Sequence, residues 1–224
     1  MIDILIDKQD NFEIIRDQIA SILAVEVASQ MTLATDNGKN PQDWALQIYA
    51  ERSNPWEAFL NDTMNIIPIV NVFYGNTNFN INRSNAVENQ HGQATFYIDC
   101  YAFSNSQEND DGGHIPGDYQ ASLNVQKATR LVRNILMSAN YTYLGLRGLV
   151  SSRFIENIKM LQPQENDSAM QNIGASRIEL SVSYNEFSPQ ITPKTLELIT
   201  TQTVRALDGS VIFNANYTYP LEGE

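Results

Sequence analysis

The chain has 224 residues, of which 42% are hydrophobic and only 18% charged, with a formal net charge of −12. That length supports one large domain, or one domain with an appendage, around a real core. The acidic excess excludes simple DNA coating, which needs the opposite sign, but is compatible with a place beside DNA in a channel that must not hold it.

Much of the polarity comes from Asn, Gln, Ser and Thr, a balance that suits a β-rich surface or an assembly subunit. The single cysteine, Cys100, excludes an intramolecular disulfide; within a strand-like run it reads as a small buried apolar residue. Met1–Lys8 is apolar for too few residues and is interrupted by Asp3 and Asp7, so neither a signal peptide nor a membrane anchor is expected. No run approaches the ~18 apolar residues of a spanning helix, and a soluble protein made in a cytoplasm is expected.

Asp10 and Glu13 have capping-box spacing, and Phe12, Ile15, Ile19 and Ile22 follow at helical steps, which predicts a helix ending near Gln30. Asp36–Pro41 is a turn cluster, and Trp44–Tyr49 reads as a first strand. Asn54, with Pro55 at the first helical position, predicts a second, two-turn helix. A strand over Ile66–Tyr74 follows, with Pro68 near its beginning, where a missing amide is tolerated. Gly75–Gln90, rich in asparagine, reads as a long loop or extended arm.

The centre of the chain is a strand, a loop and a helix. In Gln93–Phe103, Thr95, Tyr97, Asp99 and Tyr101 alternate with Phe96, Ile98, Cys100 and Ala102, the pattern of a strand with two distinct faces. Ser104–Asp118 is an acidic, glycine-containing loop. In Ala121–Ala139, the residues Ala121, Val125, Ala128, Val132, Ile135 and Ala139 recur at steps of four and three, and these small and medium side chains let a helix lie close to a sheet. Glycines then turn the chain in Tyr141–Gly148, Val150–Leu161 reads as a strand, and Gln162–Ser168 is a polar connection. Ser176–Tyr184 is a half-buried strand, with Glu186–Pro193 as an extended exit. Thr195–Ala206 and Val211–Tyr219 flank an Asp-Gly turn, a hairpin signal. The expected fold class is therefore α+β: a mostly antiparallel sheet with a long helix on one face, residues 1–190 forming the core and 191–224 a C-terminal hairpin extension.

Few constellations carry chemistry. Asp110, Asp111, His114 and Asp118 are metal-ligand types, but their spacing matches no calcium loop, and a solvated acidic loop accounts for them. His91 and His114 are the only histidines, and neither accompanies a glycine-flanked serine or a nucleophilic cysteine. Gly145–Gly148 lacks the lysine and preceding strand of a phosphate loop. No catalytic residue, cofactor or metal is assigned, and an enzyme is not expected. Lys127, Arg130 and Arg133 give the long helix a basic side, either a solvated face with local pairing or a docking face for an acidic neighbouring subunit. In the terminal hairpin Leu196, Leu198 and Val204 supply apolar contacts, and Phe213, Tyr217 and Tyr219 are either interface anchors or residues packed on the parent domain.

Several runs, Ile4–Ala20, Glu51–Trp56, Gly113–Asp118, Leu131–Met137 with Tyr141–Gly148, and Tyr184–Pro189, together with the order of elements, resemble the tail terminator and neck proteins of tailed bacteriophages. The likeness covers most of the chain, although none of these runs is a chemical motif. It implies a virion structural protein in the tail or neck, made in the host bacterial cytoplasm. It further implies a homohexameric ring that stops the tail tube and joins it to the neck or connector protein, meeting the last sheath ring if the tail is contractile. DNA would pass through such a ring, and Glu108, Asp110 and Asp111 are candidates to line the bore; no membrane is involved. The terminal hairpin departs from the smallest members, which end after the core. Two alternatives stand beside this expectation: a head-completion ring docked on the portal, and a small hydrolase or metal-dependent enzyme using the acidic loop.

Overall fold

A computed structural model describes residues 9–61, 67–79, 89–108, 113–161, 172–187, 198–204 and 211–218. They fall in two compact units: one within residues 6–188, the other holding the terminal hairpin.

The first unit is an α+β layer structure. Its sheet has the strand order β1 (Gln47–Ala50), β2 (Ile69–Phe79), β3 (Asn89–Phe103), β7 (Ile173–Phe187), β6 (Val150–Leu161). Only β1 and β2 are parallel; every other neighbouring pair is antiparallel. Helices α1 (Asn11–Asp36) and α3 (Gly117–Leu136) cover one face. The main core lies between them and the sheet, where Ile15, Ile19 and Leu23 of α1 and Val132 and Leu136 of α3 meet Val72, Phe96, Ile98 and Leu180. The stripe read in the sequence faces this core, with Ala121, Val125 and Val132 fully buried. The other face carries a smaller cluster around Phe59, Tyr101 and Phe103, reached by the short helix α2 (Glu57–Asn61).

Two features hold α3 close to the sheet. Gly174 leaves room where a Cβ would sit 3.1 Å from the Ala121 carbonyl oxygen. Thr129 and Ser176, both buried, share a 2.6 Å hydrogen bond across the layers, which satisfies the two hydroxyls.

Several element boundaries differ from expectation, each for a local reason. Helix α1 continues past Gln30 to Asp36, because no breaker precedes Gly38, which takes the left-handed conformation at φ 67°. Trp44 does not start a strand. Asn40 accepts from the Gln42 amide and Pro41 opens a 3-10 turn over Pro41–Trp44, so pairing begins only at Gln47. Asn54–Trp56 forms a turn, and α2 begins at Glu57 and lasts five residues. Strand β2 does not stop at Gly75: that residue sits at a bulge, and Asn76–Phe79 go on pairing with Thr95–Gly92, so β2 and β3 are the arms of a hairpin. Helix α3 starts four residues before Ala121. It ends before Ala139, which is exposed in a second 3-10 turn, Ala139–Tyr141, capped by Ser138. Glu186 and Phe187 remain in β7, opposite Gln90 and Asn89. Within the acidic loop, β4 (Gln107–Glu108) pairs with β5 (His114–Ile115). The connection 162–168 lies outside the described residues.

The second unit contains β8 (Leu198–Val204) and β9 (Val211–Thr218), an antiparallel pair described by its backbone. Its pairing places Leu198 opposite Thr218, Ile199 opposite Tyr217, Thr203 opposite Phe213 and Val204 opposite Val211. It forms a sheet of its own, separate from the five-stranded one.

Candidate functional site

A cleft of about 440 Å³ lies between the second half of α1, the turn Pro41–Trp44, the outer side of α3 and the turn after it. A second, of about 430 Å³, adjoins it and shares Asp43, Lys127 and Leu131. Lys127 marks the ridge between them: its ammonium pairs with Asp43 at 3.4 Å and lies 5.5 Å from the centre of the Trp44 ring. Lys39 approaches the same ring at 5.8 Å. Leu131 and Ile135 supply the apolar part of the lining, and Glu26, Arg130 and Asn134 its polar part.

The walls are tied together by their own polar groups. The Tyr141 hydroxyl donates to Glu26, linking the turn after α3 to α1. That hydrogen bond is the main reason the phenol is held protonated above its ordinary range, with burial and the Glu26 charge adding to it. Arg153 of β6 donates to the carbonyls of Tyr141 and, at 2.7 Å, Ser138. Burial lowers its pKa. The cleft is thus lined by groups of both charges, with an indole at its edge.

Of the three basic residues read in the sequence, Lys127 and Arg130 line this cleft and Arg133 does not. Steps of three residues rotate them through about 120° in total, so they do not form one face. Lys127 turns toward Asp43. Arg130 and Arg133 are exposed and make no ion pair among the described residues. Glu108 is exposed in β4, opposite His114. Asp110, Asp111, Leu196 and Tyr219 lie outside the described residues. Leu198, Val204, Phe213 and Tyr217 take the paired positions given above. Asp118, in the first turn of α3, accepts from the Tyr119 amide, and no group of three metal-ligating side chains occurs among the described residues.

Asp43 and Trp44, the partners of Lys127, and the Glu26–Tyr141 pair on the same cleft come from three separate segments, and no spacing in the sequence announces their meeting. The sequence reading also missed the character of β6. This twelve-residue strand forms one edge of the sheet, with the four-residue β1 at the other. Phe154, Ile158 and Met160 on β6 are 62%, 40% and 50% exposed. The signal was present in Val150–Leu161, where apolar residues recur on both faces, but which edge of the sheet they occupy is a matter of topology.

No helix among the described residues is long and apolar enough to cross a membrane. No protein-family model and no curated protein matches the chain.

Proposed function

We propose that this chain is a virion structural protein of a tailed bacteriophage. In this reading it is a tail terminator, whose homohexameric ring caps the tail tube and joins it to the neck. The observation that carries the proposal is the terminal hairpin, a two-stranded sheet in a compact unit apart from the α+β core. A lone hairpin is marginal in water, so a chain that keeps one has a use for it in contact with something else. The resemblance of the runs Ile4–Ala20 and Leu131–Met137 to tail terminator and neck proteins names the setting.

The cleft then supplies a second contact surface, with Arg130 and Lys127 facing an acidic segment of a neighbour. The chain's net charge of −12 suits a ring through which DNA must slide, because like charge keeps phosphates from adhering. No step of chemistry is assigned to any residue.

Electron microscopy of tails assembled with the full chain, decorated by a tag on it, tests the proposal. A ring of density at the head-proximal end of every tail is the expected result. Label at the portal of tail-less heads would instead identify a head-completion ring, and absence from all particles would remove the virion role.

A further inference from the structure

We propose that β6 is the acceptor edge of the subunit contact, and that it receives a strand of the terminal hairpin from a second copy of this chain. The inference rests on the assembly reading above and names the contact that reading needs.

Strand β6 has a neighbour on one side only, so one row of its backbone amides and carbonyls has no strand partner among the described residues. Proteins commonly guard such an edge with free charges or proline. Of the three charged residues of β6, Arg153 is turned inward while Glu156 and Lys159 stay exposed with partners within the sheet, and two bulges, at Val150/Ser152 and Ile155/Asn157, interrupt the pairing with β7. Arg153 bonds the turn after α3, Glu156 accepts from Gln93, and Lys159 pairs with Glu179 at 2.8 Å. The side chains left facing solvent include Phe154, Ile158 and Met160. There is no proline or glycine in the strand.

The hairpin fits as the occupant. Neither β8 nor β9 contains a charged residue, a proline or a glycine, although the chain as a whole carries a net charge of −12. β8 is built from Leu, Ile, Val and Thr with one Gln, and β9 from Val, Ile, Phe, Tyr, Thr and Ala with two Asn, compositions rich in residues that pair readily in strands. An uncharged pair of strands can approach a strongly acidic copy of the same chain without electrostatic opposition. Strands of seven and eight residues also fit within the twelve of β6. A donor strand at one place and an acceptor edge at another form a heterologous contact, the kind that closes rings.

The test places the photo-crosslinker p-benzoylphenylalanine at position 154 of the full chain. Light and isotopically heavy chains are mixed, both in purified form and in assembled tails. Heavy-to-light crosslinks into residues 198–218 are expected, and Phe154→Glu with Met160→Glu is expected to weaken self-association at least about tenfold, as for a lost interface anchor. Crosslinks into 198–218 within one chain only would show that the hairpin covers its own sheet, and would overturn the inference. Crosslinks into another segment, with rings present in tails, would overturn it while leaving the ring reading intact. A chain that neither self-associates nor enters tails would end both.

Discussion

Arg177 and Asp99 face each other across β7 and β3, and the guanidinium donates through Nε and Nη2 to both carboxylate oxygens at 2.8 Å. Asp99 is 2% exposed and also accepts from the Tyr101 hydroxyl. The Arg177 guanidinium lies 4.6 Å from the Tyr97 ring centre and 5.2 Å from that of Phe73, and the Asp99 hydrogen bonds are the main reason its pKa is raised. The pair lies on the sheet face away from α1 and α3, where it joins β7 to β3 and packs beside Phe73 of β2. Arg177→Ala leaves a buried carboxylate without its partner and is expected to cost about 2–3 kcal/mol, below the value for a fully buried pair because Arg177 is partly exposed. Arg177→Lys, which cannot reproduce the two parallel bonds, is expected to recover only part of this. Urea unfolding of the core measures both.

The glycines at the helix–sheet contact make a ranked prediction. A Cβ on Gly117 would lie 2.5 Å from the backbone oxygen of Ser104, whereas one on Gly174 would lie 3.1 Å from the Ala121 oxygen and the Val125 side chain. Gly117→Ala is therefore expected to be the more destabilising, with both within or just above the roughly 1–3 kcal/mol of overpacking. Equal melting temperatures for the two variants would contradict the close approach at Gly117.

The elements that the sequence made legible are those whose pattern is local. Helix α3 carries its stripe in consecutive turns, and strands β3 and β7 alternate over long runs, so their faces were readable before any partner was known. The limits of β6 were also as expected. Trp44 reads as strand in the sequence, yet Asn40 and Pro41 just before it set a 3-10 turn that outweighs β-propensity in so short a run. Gly75 reads as a loop start in the sequence, yet it is a bulge, because its missing Cβ makes way for Tyr97. The cleft is half legible in the sequence: Lys127 and Arg130 stand out by charge, but Trp44 and Asp43 reach Lys127, and Glu26 joins the same lining, only through tertiary packing.

Alkaline pH is expected to weaken the fold. Burial pushes the Cys100 thiol from its ordinary 9.0 up to about 12, and also raises the pKa values of Tyr101 and Tyr184. Each group holds its proton in the folded chain at a pH where the unfolded chain releases it. The contribution is therefore complete below pH 9 for Cys100 and is lost progressively between about 9 and 12. Melting followed across this range should show a continuous fall, shallower in Cys100→Ala. A flat profile would contradict the burial of the thiol.

Lys127→Glu and Arg130→Glu separate folding from assembly. The Lys127–Asp43 pair is exposed, and such pairs contribute about 0–1 kcal/mol, so the double variant is expected to fold with nearly unchanged stability. Incorporation into tails is expected to fall if the cleft receives an acidic segment. Normal incorporation at wild-type levels would show that the cleft is not a contact.

The proposed terminator role is tested most directly by imaging particles made with the chain truncated after Gln190, which removes the hairpin and keeps the unit that holds the main core. The account predicts a soluble core, tail tubes that are not stopped at a uniform length, and heads left unjoined. Tails of normal length joined to heads, with the truncated chain seated at the neck, would contradict it.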